Sequence, residues 1–321
     1  MDLVIVGSIG YDDIQTPQDS GSDLLGGAAV YAGLAASHHL PTVDESPTRV
    51  GIVGVVGDDF SAYNQMILEK AGLNLSGVTR NEGKTFRWSG RYEGAMETVE
   101  TLATEVNVLA DFDPKLPDVW TEPEILFCAS THPATQVSVL NQCPGAQLTV
   151  LDTFMLWIET EFETLSEAIR KVDLAVINEQ EACAIAGEEI LPLAMHAIMS
   201  GEALHGGSGS GPGPRGLIVK RGSGGVLAML PCGTVALPAF PTDKIVDPTG
   251  CGDSFAGALL AHLIGRRGIL NDIDSIRTAL VHATVTASFT LSGIGISGLS
   301  NIERGPYHAR VDKYRRIVGL T

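Results

Sequence analysis

Residues 247–255 read DPTGCGDSF and run into the apolar stretch AGALLAHLI. A turn needs one glycine and a helix cap one aspartate, so two aspartates flanking a glycine-rich hinge exceed both requirements. The first N–H groups of a helix lack intrahelical partners, and that end carries partial positive charge. Gly250 and Gly252 bracket Cys251 and let an anion approach the backbone closely, so the stretch reads as an anion cradle. Asp253 adds a carboxylate to it. A carboxylate repels phosphate, and its presence makes sense if it takes a proton from an attacking hydroxyl. A plain helix cap would explain Asp253 alone; phosphoryl transfer explains the whole segment.

Asp247, Thr249, Gly250, Gly252, Asp253 and Phe255 occupy the matching places of D-T-x-G-A-G-D-x-F, while Pro248 and Cys251 depart from it. That pattern is the C-terminal signature of the PfkB (ribokinase-like) carbohydrate kinases, which this chain resembles. The resemblance implies that Asp253 is the general base. It also implies that the N–H groups of residues 250–253, those of Gly250, Cys251 and Gly252 included, form an anion hole for the transferred phosphoryl group. ATP and Mg²⁺ follow as expected cofactors.

Other segments resemble the family in the right order along nearly the whole chain. In GSIGYDDI (7–14), Asp12 matches an aspartate that hydrogen-bonds sugar hydroxyls; the dinucleotide fingerprint G-x-G-x-x-G is absent. LGGAAVYAG (25–33) resembles the glycine pair at a helix start that admits substrate, here Gly26 and Gly27. NEQEA (178–182) fits N-x-x-E, which implies that Asn178 and Glu181 organise Mg²⁺ and phosphates through water. VKRGSGGVLAM (219–229) is similar to the nucleotide-contacting strand and turn, with Lys220, Gly222 and Gly224. HATVTASFTLSGIGI (282–296) is similar to the segment enclosing adenine, with His282 carried over. Some relatives imply a monovalent cation, K⁺, near Asp247 and Thr249.

The pattern fails where ribose-type members place Lys and Asn after the glycine pair, because Ala28 and Tyr31 stand there. Losing such groups leaves substrate hydroxyls unpaired, which argues against ribose itself. Arg87, with Lys84 and Arg91, offers donors to a more acidic sugar, whereas Tyr31 and Trp88 suit stacking on a nucleoside base. The expectation is an ATP-dependent kinase acting on a hydroxyl of a sugar or sugar-like substrate. A nucleoside kinase and a catalytically silent sugar- or nucleotide-binding homologue are the alternatives.

These residues need elements to position them. β-Branched runs at LVIVG (3–7), RVGIVGVVG (49–57), EILFCAS (124–130), QLTVLD (147–152), DLAVIN (173–178) and GLIVKRG (216–222) read as buried strands. Helical spacing in 28–40, 61–72 and 162–172 falls between several of them. The alternation predicts an α/β fold with a mainly parallel sheet covered on both faces; the family implies a three-layer αβα, ribokinase-like fold in a single domain, 1–321. KTFRWSGRY (84–92) alternates instead, with Phe86, Trp88 and Tyr92 on one face. It predicts a small β-flap, or lid, whose strands are expected within 11–25 and 84–110, closing over a ligand or meeting a second copy in a homodimer. GEALHGGSGSGPGPRG (201–216) reads as a flexible connector.

The 321 residues carry a net charge of -17, which argues against nucleic acid or an anionic membrane as partner. Five scattered cysteines without a C-x-x-C pair suit reduced thiols. No basic leader or long apolar span is visible, so the expectation is a soluble, cytoplasmic protein.

Overall fold

The computed structural model describes residues 1–40, 48–266 and 268–320. Strands β1 (Leu3–Val6), β2 (Gly10–Gln15), β3 (Ser20–Gly26), β4 (Val50–Val56), β5 (Leu73–Arg80), β6 (Phe86–Tyr92) and β7 (Val99–Glu105) form the first third. The remainder are β8 (Ile125–Cys128), β9 (Leu148–Leu151), β10 (Leu174–Asn178), β11 (Gly216–Lys220), β12 (Val226–Leu230) and β13 (Gly233–Leu237). Nine of them make one sheet, ordered β13-β12-β11-β10-β9-β8-β1-β4-β5. Pairing is parallel from β11 to β5 and antiparallel at β12 and β13.

Helices cover both faces, which gives the three-layer α/β arrangement expected of the sequence. Alternation along β1 divides the core: Leu3 and Ile5 face one helical layer, Val4 and Val6 the other. The first layer holds helices Ala28–His39, Cys251–Ala261, Ile273–Thr290 and Arg304–Ile317; the second includes Pro133–Gln142, Phe162–Lys171 and Glu179–Ala186. Gly257 seats the Cys251 helix directly on the Ala28 helix, where any Cβ would overlap the Ala32 carbonyl. Because the two helices touch there, their N-terminal ends can approach each other.

A second sheet, ordered β3-β2-β6-β7, stands apart from the main one. β2 and β6 run parallel with Tyr11 opposite Arg87 and Asp12 opposite Trp88. Partners in register share a face, so Asp12 and Trp88 lie on one side and Tyr11 and Arg87 on the other. The hairpin between β6 and β7 reaches the turn after β11, where Ser223 Oγ donates to Glu97 Oε1 at 2.8 Å.

The glycine-rich stretch 201–216 is ordered, contrary to its composition. The Arg170 guanidinium donates to the carbonyls of Gly201, His205, Gly207 and Gly211 and pins the stretch against the Phe162 helix. Among the described residues, no single helix is long and apolar enough to cross a membrane.

Candidate active site

The Cys251 helix begins at Gly250, whose backbone is left-handed at φ 71. Beneath it lies the ring of Tyr31, close enough that a Cβ at Gly250 would overlap the ring, so only glycine satisfies both demands. The N–H of Cys251 is taken by the Pro248 carbonyl at 3.1 Å, and its thiol donates to Ala287 O at 3.6 Å. Both donors of Cys251 are thus engaged within the fold. Gly252 packs against Lys220: a Cβ built there would stand 3.2 Å from its Nζ.

Asp253 sits in the first turn of this helix. Burial pushes its carboxyl up to about 7, Asp152 adds to the rise, and Lys220 opposes it. Lys220, the last residue of β11, donates to Asp152 Oδ2 at 2.5 Å. Burial works against its charge, but Asp152, Glu181 and Asp253 outweigh that and hold its pKa above the usual lysine value. Glu181 completes the cluster from the N-terminus of the Glu179 helix. Its Oε2 accepts from Asn178 N at 2.9 Å, and Asn178 Oδ1 accepts from Glu181 N at 2.8 Å, a reciprocal capping box. Burial raises the Glu181 carboxyl to about 8, with Asp152 contributing. Three carboxylates thus surround one ammonium in a low-dielectric pocket.

On the lid side, Asp12 is buried, and a Cβ on Gly26 would overlap its carboxylate. Its carboxyl is raised to about 8 by burial, then by Asp247, Asp253 and Asp13. Gly27 starts the Ala28 helix, whose Ala28 and Ala29 N–H groups bond Ser8. The aromatic face of β6 covers this side: Trp88 lies in register with Asp12, and Tyr92 OH accepts from Thr249 Oγ1 at 3.2 Å. Buried carboxylates with raised pKa values and a single lysine, at a helix N-terminus beside the lid, form a cluster whose chemistry suits proton and phosphoryl transfer.

A model of the pfkB family of carbohydrate kinases matches residues 2–300. The chain belongs to that family. It is similar to the cytidine kinase of Thermococcus kodakarensis, 29% identical over 270 residues that cover 81% of this chain and 88% of that one. Among solved structures it is similar to ribokinase from Giardia lamblia (TM-score 0.79, 20% identity, 98% of this chain and 99% of that one). It is also similar to the Burkholderia thailandensis nucleoside kinase in complex with ADP-inosine (TM-score 0.74, 17% identity, 97% and 95%).

Several residues of this pfkB kinase stand elsewhere than the motif reading placed them. Arg87 faces away from Asp12; it pairs with Asp23 and, at 3.4 Å, with Asp59, and stacks on the Tyr11 ring 4.9 Å away. Strand alternation puts it there. Tyr31 is 1% exposed, so its ring supports Gly250 from below and cannot stack on a base. Its hydroxyl has no hydrogen-bond partner among the described residues. His282 is not with the phosphate-side residues: its Nδ1 lies 2.7 Å from Tyr307 OH, and burial lowers it to about 4. Gly222 and Gly224 bracket Ser223 in the turn that meets the lid. Asp247 is fully buried, its two oxygens accepting from Thr249 N and Gly295 N, both at 2.8 Å. Asp58 and Asp59 hold the Gly83–Thr85 turn.

Motif reading missed Asp152. It directly follows β9, at the carboxyl end of a parallel strand, where ligands of such sheets collect. That position was the available signal.

Proposed function

We propose that this pfkB kinase transfers the γ-phosphoryl group of ATP to a hydroxyl of a ribose-bearing small molecule, a nucleoside before a free sugar. The observation carrying the reading is the β2–β6 register, which sets Trp88 on the same face as Asp12. The carboxylate suits a sugar hydroxyl and the indole suits a base beside it. The likeness to a cytidine kinase supports the same choice.

In this reading Asp12 accepts a hydrogen bond from the acceptor and orients it. Asp253, poised near neutral pH, takes the proton of the attacking hydroxyl. Lys220 and the N–H groups of Gly250 and Gly252 face the charge that develops on the phosphoryl oxygens. Gly222 and Gly224 leave room for the nucleotide. The excess of carboxylate at Asp152, Glu181 and Asp253 fits a divalent cation; Glu181 would hold Mg²⁺ through water, with Asn178 fixing that carboxylate. Bound there, Mg²⁺ supplies neutralisation of phosphate charge. A K⁺ ion beside buried Asp247 and Thr249 belongs to the same proposal, tested by comparing rates in potassium and in a bulky organic cation. A silent binding homologue has no use for a base at Asp253.

The lid edge exposes Val99, Leu102 and Val106, which suits homodimer formation; sedimentation as a monomer would count against it. Unpaired cysteines suit a cytoplasmic location. The deciding experiment is ATP turnover against a panel of nucleosides and free sugars. Turnover with cytidine, adenosine or inosine supports the proposal, and turnover confined to free sugars overturns the nucleoside reading.

A further inference from the structure

At the end of the helical layer remote from Asp253, histidines collect. His39 ends the Ala28 helix, His262 caps the C-terminus of the Cys251 helix, and His282 lies midway along the Ile273 helix. The rings of His262 and His282 stack with centroids 3.9 Å apart, and His39 stands 4.8 Å from His262. One ring nitrogen of each lies within 4.8 Å of those of the other two. All three rings are half-buried, and His38 and His308 flank them against Tyr307. His262 lies nine residues along the helix from Asp253, about 13 Å at 1.5 Å per residue.

A neighbouring hydroxyl determines which nitrogen of His39 is free. Thr286 Oγ1 donates to the His282 carbonyl at 2.9 Å, so it accepts from His39 Nε2–H, also at 2.9 Å. His39 Nδ1 therefore keeps its lone pair. His282 Nδ1 faces Tyr307 OH at 2.7 Å; with its proton there, Nε2 holds the lone pair. His39 Nδ1 is 3.3 Å from His262 Nε2. Two nitrogens bound tetrahedrally to one ion at 2.0–2.1 Å would be about 3.3 Å apart. Ligand histidines that pass their second N–H to a protein acceptor are the arrangement that orients zinc sites.

We propose that His39, His262 and His282 form a zinc-binding site that ties three helices together. In the metal-free protein a proton lies between His262 and His39; zinc binding turns the His262 ring out of its stack on His282, 18° between the planes, so that the three lone pairs meet at the ion, and a tautomer shift carries that proton to His262 Nδ1. Arg266, the cation facing His262, turns its guanidinium to Ser275. A cavity of about 360 Å³, lined by His282 with Asp274, Arg277 and Arg315, offers a route from solvent.

The test titrates the full chain with Zn²⁺ by calorimetry, beside the His39→Gln/His262→Gln double variant. One zinc per chain, a raised Tm, binding weaker by roughly a hundredfold in the variant and unchanged phosphotransfer are expected. Co²⁺ in place of zinc should give the intense visible bands of a four-coordinate site. No zinc uptake by the native chain, equal uptake by the variant, or the pale spectrum of six-coordinate cobalt overturns the proposal. If the variant does not fold, stoichiometry and the cobalt spectrum of the native chain still decide.

Discussion

Lys220 donates to Asp152 Oδ2 at 2.5 Å while its ammonium also packs against Gly252, 3.2 Å from where a Cβ would stand. One cation therefore serves a buried carboxylate and the helix N-terminus together, and it opposes the rise that burial and Asp152 impose on Asp253 beside it.

Replacing Asp253 by Asn removes the only carboxylate carried by the first turn of the Cys251 helix. We expect kcat to fall by about 10²–10⁴, the usual worth of a general base, with KM for ATP little changed. Steady-state kinetics on the best acceptor checks this. A kcat within a few-fold of the native value would remove Asp253 from the mechanism.

The pH profile carries a sign. The base works when deprotonated, and its pKa is raised to about 7, so the rate should rise with pH through about 7 and then level. Lys220 holds that value down; in Lys220→Gln the rising limb should move to higher pH, beyond any loss of rate. A limb that stays in place would show that another group titrates.

Asp12 links pH to stability. Its folded pKa of about 8 lies above the unfolded value of 3.8, so the folded state binds the extra proton. That contribution is fully present below about 3.8 and is lost as pH rises through about 8. Ligand-free protein should melt at a lower temperature at pH 8 than at pH 6, and Asp12→Asn should flatten the difference. Thermal melts across this range decide; an unchanged slope in the variant contradicts the assignment.

Gly257→Ala tests the seat between the Cys251 and Ala28 helices. A methyl group would strike the Ala32 carbonyl, and overpacking of this kind costs about 1–3 kcal/mol. Chemical denaturation should show that loss. Activity should fall as well, because the separation spreads Gly27 from Gly250.

Trp88→Ala should raise KM for a nucleoside by roughly tenfold, the loss of one aromatic contact, and leave KM for a free sugar nearly unchanged. Paired kinetics on both acceptors reads the difference. Equal effects on the two would mean that the indole does not meet a base.

Much of this was legible in the sequence. The buried strands announced themselves as β-branched runs, and DPTGCGDSF gave the helix start with its aspartate because local geometry dictates those residue types. Long-range placement was not legible. Arg87 and Trp88 are neighbours in sequence, and only the pairing of β6 with β2 decides which one faces Asp12. Tyr31 aligned with a substrate-gripping position yet packs under Gly250, since its size fills space that a smaller residue would leave open. Stretch 201–216 has the composition of a flexible linker, but a single guanidinium on a distant helix orders it. Composition reports local preference and is silent about such a partner.

The parallel register of β2 and β6 has a consequence for specificity. In the proposed reading the face of β6 that carries Trp88 meets the acceptor, on a sheet that contributes neither Asp253 nor Lys220. Recognition and chemistry would then sit in separate segments of the chain. On that reading, substitutions on the Trp88 face of the lid would change the acceptor without touching Asp253, Lys220 or the helix start that they flank.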